Sequence, residues 1–238
     1  MTLSFDNPPS LLRHDDGQRQ LILRLARVDD AEAVVEAAQE SLAALREFMP
    51  WPHFPQTVEV QRKRLAGLEE GHGTGGDIVF HLFEEEGGPF VGCIGLHRRA
   101  LNPRAFEVGY WVRTSAAGRG IATLAARCAV VLGLEYFACQ RIQCVYNEAN
   151  AASGRVVKNV GFAEEGRLRL FEDQPTDEMR SNGYKAQPMA VMNALFSEDR
   201  ERLDWYPGVR SALTVLDRNG SVALPVETLG RSSVDRKV

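Results

Sequence analysis

Phe106-Glu-Val-Gly-Tyr-Trp-Val112 reads as a β-strand, and Arg113-Thr-Ser-Ala-Ala-Gly118-Arg119-Gly120-Ile121-Ala122-Thr123 carries the chain from it into a long apolar helix. A strand, a short glycine loop and a helix amino terminus, in that order, build an anion site. The first turn of a helix has unpaired backbone N–H groups and lies at the positive end of the helix dipole, so a phosphate can sit there. Gly118 and Gly120 remove side chains where a ligand must come close to the backbone. A Gly-x-Gly pair alone is common in ordinary turns. Here a second stretch supports it: Asn147-Glu-Ala-Asn150-Ala-Ala-Ser153, followed by Lys158-Asn-Val-Gly161-Phe162. Two other phosphate-binding patterns do not fit. Thr123 stands where a dinucleotide fingerprint needs its last glycine, and the Gly-Lys-Ser/Thr ending of a P-loop is absent.

Working outward, the 238 residues are 44% hydrophobic and 25% charged, which is ordinary for a soluble globular chain. A net charge of −4 gives no argument for nucleic acid or an anionic membrane as a partner. Cys93, Cys128, Cys139 and Cys144 show no Cys-x-x-Cys spacing, so neither a zinc site nor a redox pair is suggested. Reduced thiols in a cytoplasmic protein are expected. The start of the chain lacks a signal peptide's charged leader, and no apolar run approaches membrane-spanning length.

The pattern predicts strands over 21–25, 78–83, 90–96, 105–112, 141–146, 162–170 and 187–195, with helices over 33–48, 57–70, 118–137 and 151–160. Residues 1–19 read as a loose amino-terminal arm, 20–203 as one catalytic domain and 204–238 as a carboxy-terminal extension. Asn219-Gly220 between apolar runs predicts a hairpin in that extension, with Val215, Leu216, Val222 and Leu224 on its apolar face. Such a hairpin must pack on the body or on a second subunit, which makes a homodimer one expectation.

The element order, with the glycine loop after the fourth strand, resembles the GNAT superfamily of acyltransferases. Met49-Pro50-Trp51, Glu107-Val-Gly109-Tyr110-Trp111, Gly118-Arg-Gly-Ile-Ala122, Asn150-x-x-Ser153 and Lys158-x-x-Gly161-Phe162 narrow the resemblance to its RimJ/RimL-type branch. It covers residues 20 to 196. It implies a mixed α/β fold: a twisted, mostly antiparallel sheet with helices on both faces, splayed between the fourth and fifth strands. It also implies acetyl-coenzyme A as cosubstrate, no metal, and transfer to a primary amine by direct attack in a ternary complex. A protein amino terminus leads as acceptor. A small amine (polyamine, amino acid or aminoglycoside) is the alternative within the enzyme class, and a catalytically idle acyl-coenzyme A-binding module is the alternative outside it.

The resemblance also assigns roles. Backbone N–H groups of Gly118, Arg119, Gly120, Ile121, Ala122 and Thr123 hold the pyrophosphate, with the Arg119 side chain adding a charge-assisted contact. Ala117 departs from the Gln or Arg common at that place. The pantetheine arm runs along the backbone of Trp111, Val112 and Arg113, with the Val112 N–H facing the developing oxyanion. Asn150 contacts the cofactor, and Ser153 protonates the departing thiolate, with Tyr146 in reserve; the plainer reading is that Asn150 caps a helix. Glu107 is the candidate base, or else merely the outward residue of an alternating strand. Trp51 lines the acceptor cleft, or is a core aromatic. His53, His81 and His97 show no partner pattern and are read as structural or exposed. Loops 49–56, 71–77 and 172–186 are expected to set acceptor specificity.

Overall fold

Near-continuous apolar runs in the central strands, such as Ile78–Phe83 and Phe90–His97, give this chain a sheet with two buried faces. The computed structural model describes residues 7–71, 76–98, 104–169, 171, 175–185 and 189–224. Its strands are β1 (Leu11–Asp15), β2 (Gln20–Leu25), β3 (Ile78–Phe83), β4 (Phe90–His97), β5 (Ala105–Val112), β6 (Arg141–Asn147), β7 (Ala163–Leu168), β8 (Ala190–Phe196), β9 (Leu213–Leu216) and β10 (Val222–Leu224). They form one sheet in the order β10-β9-β1-β2-β3-β4-β5-β6-β8-β7. Every neighbouring pair is antiparallel except β5 and β6.

Helices cover both faces. On one, α4 (Ile121–Val131), α5 (Ala151–Val160) and α7 (Tyr206–Ala212) pack on Leu12, Leu23, Phe80, Ile94 and Phe106. On the other, α1 (Ala31–Glu40) and α2 (Leu42–Arg46) cover Phe90 and Trp111, and Leu65 of α3 (Val58–Gly71) covers Val79. The alternation in β3, with Phe80 on one side and Val79 on the other, shows the period of two at work.

The exception at β5 and β6 positions the site. Their parallel pairing spans only Ala105–Glu107 against Arg141–Gln143. Beyond it β5 continues with β4 as far as Val112, and β6 continues with β8 as far as Asn147. The sheet therefore opens between the two strands, as the family resemblance implies.

Several expectations need correction. Residues 11–15 are not a loose lead-in: β1 lies between β2 and β9, and Leu12 and His14 are buried. The helix expected over 33–48 breaks at Ser41, which is buried and accepts a hydrogen bond from the Thr114 N–H at 2.9 Å. The helix expected from 118 begins at Ile121 and ends in a π-helical turn, Leu132–Tyr136. The expected loop after 172 contains α6 (Asp177–Ser181), capped by the Thr176 hydroxyl, while 172–174 and 186 lie outside the described residues.

The hairpin forms, but its geometry differs from that expected. Only Gly220 takes a positive φ, +76°, and Asp217 Oδ1 accepts from the Asn219 and Ser221 N–H groups, each at 2.8 Å. The four apolar residues do not share a face. Val215 is fully buried, its neighbour Leu216 points to the opposite side, and Val222 is 61% exposed. The side chain of Leu224 and the segments 72–75 and 225–238 lie outside the described residues. The hairpin packs on the body by pairing β9 with β1.

Removing residues 204–238 should therefore cost more than solubility. Tyr206, Val209, Leu213 and Val215 are buried, and each buried side chain of this kind contributes about 1.5–3 kcal/mol. The truncated protein should melt roughly 10 °C or more below the full chain, or aggregate. Scanning calorimetry with light scattering measures both, and an unchanged melting temperature would show that β9 adds nothing to the body.

Candidate active site

The loop before α4 has the geometry of an anion cradle. Gly118 and Gly120 both adopt φ of +75°, a conformation that strains any other residue. A Cβ added at Gly118 would meet nothing within 4 Å, so that side of the loop is open to a ligand. The first bond of the helix runs from the Leu124 N–H to Gly120 O at 3.0 Å, so the N–H groups of Ile121, Ala122 and Thr123 lie ahead of it. Together with Val112, Asn150 and Arg155 these residues line a cleft of about 490 Å³. The cradle suits a pyrophosphate.

Arg119 does not serve it as expected. Its guanidinium donates to Glu84 Oε1 at 2.7 Å, and its carbonyl accepts from Arg19 at 2.8 Å. The cation that does line the cleft is Arg155, exposed on α5 and without an ion-pair partner among the described residues. Sequence reasoning missed it, although its place two residues after Ser153 was a usable signal.

The backbone of β5 also needs a correction. The Arg113 N–H is taken by Val91 O at 2.9 Å, and Trp111 is in register with Cys93 of β4. N–H groups alternate along a strand, so of the three residues expected to face the pantetheine only Val112 turns its N–H and C=O into the opening. The Arg113 side chain instead forms a clamp. Its guanidinium donates to Glu40 and Glu36 of α1 and to Phe90 O. Glu40 Oε1 in turn accepts the Ser115 N–H at 2.8 Å. The hydrogen bonds from Arg113 and Ser115 hold the Glu40 carboxyl down to about 2.

A second cleft opens on the other side of the splay, lined by Trp51, Glu107, His97, Tyr146, Asn150 and Ser153 among others. The two clefts share Phe48, Met49, Tyr110, Trp111, Asn150 and Ser153. Asn150 caps α5, its Oδ1 accepting the Ser153 N–H at 3.0 Å, so the plainer reading holds while the residue also faces both clefts. Ser153 Oγ lies 3.0 Å from the Tyr110 hydroxyl. Burial, and then Cys144 beside it, push the Tyr110 pKa up, so this phenol stays protonated. Tyr110 belongs to the motif Glu107-Val-Gly109-Tyr110-Trp111, and its even position in β5 places it on the face opposite Glu107. Tyr146 lies against Gly154, where an added Cβ would sit 3.1 Å from its hydroxyl.

Glu107 Oε2 accepts from Gln143 Nε2 at 3.1 Å, and its cross-strand partner is His97. His97 is not without a partner. Its Nδ1 lies 2.7 Å from Asp77 Oδ2, and its ring lies over Gly95 and Gly109, where added Cβ atoms would be 2.5 and 3.3 Å from Nε2. His81 is buried on Asp30 at 2.6 Å, and His53 contacts Arg46 O at 3.0 Å, so both are structural. Trp51 combines its two readings: it packs on Trp111, ring centroids 5.6 Å apart, and lines the cleft.

A family model described as an acetyltransferase (GNAT) domain matches residues 20–163. The chain is 26% identical over 160 residues to the putative ribosomal N-acetyltransferase YdaF of Bacillus subtilis, covering 63% of this chain and 81% of that protein. It is 28% identical over 128 residues to the ribosomal-protein-serine acetyltransferase of Escherichia coli, covering 54% and 70% respectively. Among solved structures it is similar to Mycobacterium smegmatis RimJ in complex with CoA-disulfide, with a TM-score of 0.66 and 25% identity over 80% of this chain and 88% of that one. RimL, a ribosomal L7/L12 alpha-N-protein acetyltransferase in complex with coenzyme A, has a TM-score of 0.66 at 21% identity, over 77% and 97%.

Two outcomes are expected of the phosphate side. Gly118→Glu and Gly120→Glu should each abolish coenzyme A binding by calorimetry while the circular dichroism spectrum is kept, because a side chain and a negative charge both enter the cradle. Micromolar binding by either variant would remove the loop from the site. The clamp has a defined pH window. The Glu40 pKa is depressed in the folded protein, so its contribution is complete above the unfolded carboxylate value and is lost as pH falls through about 2. Coenzyme A affinity should therefore depend on the clamp equally at pH 8 and pH 6, with Glu40→Gln weakening it by the same factor at both.

Proposed function

The chain belongs to the GNAT acetyltransferase family, and on that premise we propose that it acetylates the α-amino terminus of a cytoplasmic protein. As an acetyl-coenzyme A-dependent N-acetyltransferase it needs a site where donor and amine meet. The observation that carries the reading is that the two clefts join at Tyr110 and Ser153, with Glu107 on the amine side and the Val112 N–H on the cofactor side. Among the described residues lining the amine side, the charged groups are one carboxylate, Glu107, and one guanidinium, Arg64, beside His97. A polyamine or aminoglycoside, with several ammonium groups, is poorly served by that set. A peptide terminus brings a single amine and neutral amides. Proteins similar to this chain and named for acetylating ribosomal proteins support the same choice.

Bound acetyl-coenzyme A supplies an acetyl thioester. The N–H groups of Ile121, Ala122 and Thr123, with Arg155, hold its phosphates, and Asn150 borders both clefts. An α-amino group has a pKa of about 8, so Glu107 needs only modest basicity to take its proton, directly or through a water. The Val112 N–H donates to the carbonyl oxygen as negative charge gathers there. Ser153, hydrogen-bonded to Tyr110, delivers a proton to the departing sulfur, and Tyr146 stands beside it. Cys93 and Cys144 also line the amine cleft, but burial pushes their thiols up to about 11 and about 12. Neither is a ready nucleophile, which favours direct attack over a covalent relay.

Thiol release with Ala-, Ser- and Met-starting peptides, set against spermidine and an aminoglycoside, tests the reading. Turnover confined to peptides supports it. Turnover confined to the small amines assigns the alternative acceptor, and tight cofactor binding without turnover on anything makes the chain an idle module.

Two substitutions probe the roles. Glu107→Gln should lower kcat at least about 100-fold and move the acid limb of the pH–rate profile, with coenzyme A affinity held. Ser153→Ala and Tyr110→Phe should each slow turnover about ten- to hundredfold, and the double variant little further, because both act on one proton path. Additive losses in the double variant would separate the two hydroxyls.

A further inference from the structure

The amine cleft contains a buried polar atom that nothing among the described residues satisfies. Gln61 of α3 is 3% exposed and lines the cleft, and its Oε1 has no hydrogen-bond partner among the described residues. Its orientation follows from its neighbours. Gln56 Nε2 donates to Trp51 O at 3.0 Å and to Phe54 O at 2.8 Å, which turns Gln56 Oε1 toward α3. Gln61 Nε2 donates to that oxygen at 3.1 Å. Flipping Gln61 alone would set two amide oxygens against each other. Flipping both would set Gln56 Oε1 against two backbone carbonyls. The chain of amides thus runs one way and leaves the Gln61 oxygen as an acceptor with no donor.

Buried polar groups are almost always paired, and an exception at a ligand cleft points to the ligand. The missing partner must be a hydrogen-bond donor. The reacting amine keeps two N–H groups while its lone pair attacks, but the hydrogen-bond acceptor assigned to it is Glu107, which lines the same cleft. Gln61 is left for a second donor, and a protein amino terminus whose second residue is not proline brings one, the N–H of its first peptide bond. Arg64, three residues on and also lining the cleft, sits exposed with no ion-pair partner among the described residues. A guanidinium there suits peptide carbonyls and repels a second ammonium.

We propose that Gln61 Oε1 accepts a hydrogen bond from the first peptide N–H of the acceptor, making this part of the cleft a main-chain subsite. The assignment rests on the protein-terminus reading. It makes Gln61 a specificity-determining residue that distinguishes a peptide amine from a simple alkylamine, and it leaves the identity of the first side chain to other parts of the cleft. A site built around a buried acceptor discriminates strongly against ligands lacking the donor, because the acceptor is then buried unpaired.

A chemical double-mutant cycle tests it. An Ala-starting peptide is compared with the depsipeptide in which an ester oxygen replaces the first peptide N–H, using wild-type protein and Gln61→Met. Wild type should lose about 10- to 100-fold in kcat/KM on the ester swap, chiefly through KM. Gln61→Met should turn over the peptide about as poorly as wild type turns over the depsipeptide, and the swap should then change its rate by no more than about twofold. Equal use of both substrates by wild type overturns the proposal, and that comparison stands even where Gln61→Met fails to fold. An equal swap penalty in both proteins overturns it too. Coupling seen only with a Ser-starting peptide, and absent with the Ala-starting one, assigns Gln61 to the side-chain hydroxyl and overturns the main-chain subsite. Failure of the underlying reading looks different: no peptide is acetylated at all while spermidine is.

Discussion

The parallel contact between β5 and β6 ends after three residue pairs, and the chemistry of this protein depends on the two strands parting there. A strand edge inside a folded body carries N–H and C=O groups that require partners. Along β5 the edge facing the gap includes Val112, because its neighbours Trp111 and Arg113 turn toward β4. A ligand with amide groups of its own can complete such an edge as an added strand would. The same parting lets β5 serve two clefts at once. Glu107 points to one face and Tyr110 to the other, and Tyr110 reaches across the gap to Ser153 on α5.

The opening needs a fixed frame, and the frame is polar as well as apolar. Trp111 anchors the end of β5 under α1 and α2 through Phe90 and Trp51. One residue on, the Arg113 guanidinium ties that end to Glu36 and Glu40, while Glu40 and Ser41 accept the Ser115 and Thr114 N–H groups. The break between α1 and α2 is thus joined to the segment that enters the glycine loop. Exposed ion pairs are weak one at a time. This set gains from its fork geometry and from backbone donors whose positions the turn already fixes.

Much of the frame is legible in the sequence because it is local. The strand, glycine loop and helix at 105–131 are neighbours in the chain, and the Asn150 cap is three residues from the N–H it accepts. Tertiary contacts are not local, and there the sequence misleads. Arg119 reads as a phosphate ligand until Glu84 takes its guanidinium. His97 reads as unpartnered because Asp77 is twenty residues away and the bed for its ring is made by glycines on two different strands. The orphan oxygen of Gln61 could not have been read at all, since it follows from an amide chain that starts at two backbone carbonyls. The strand at 11–15 was missed because a five-residue segment with a histidine and an arginine has little pattern of its own; its partners define it.

That strand has a consequence for the order in which the body assembles. Ser10 and Leu216 are hydrogen-bonded across 206 positions of sequence, so one flank of β1 stays vacant until synthesis has passed residue 216. The flank toward β2 closes early and cheaply, through a turn of a few residues. The entropy of closing the far flank grows only logarithmically with the intervening length, so distance itself is a small obstacle. Time is the larger one. Throughout elongation the nascent chain carries an incomplete edge beside Leu12, open to pairing with whatever strand arrives first. The arrival of β9, rather than of the catalytic segment, decides when this enzyme stops being sticky.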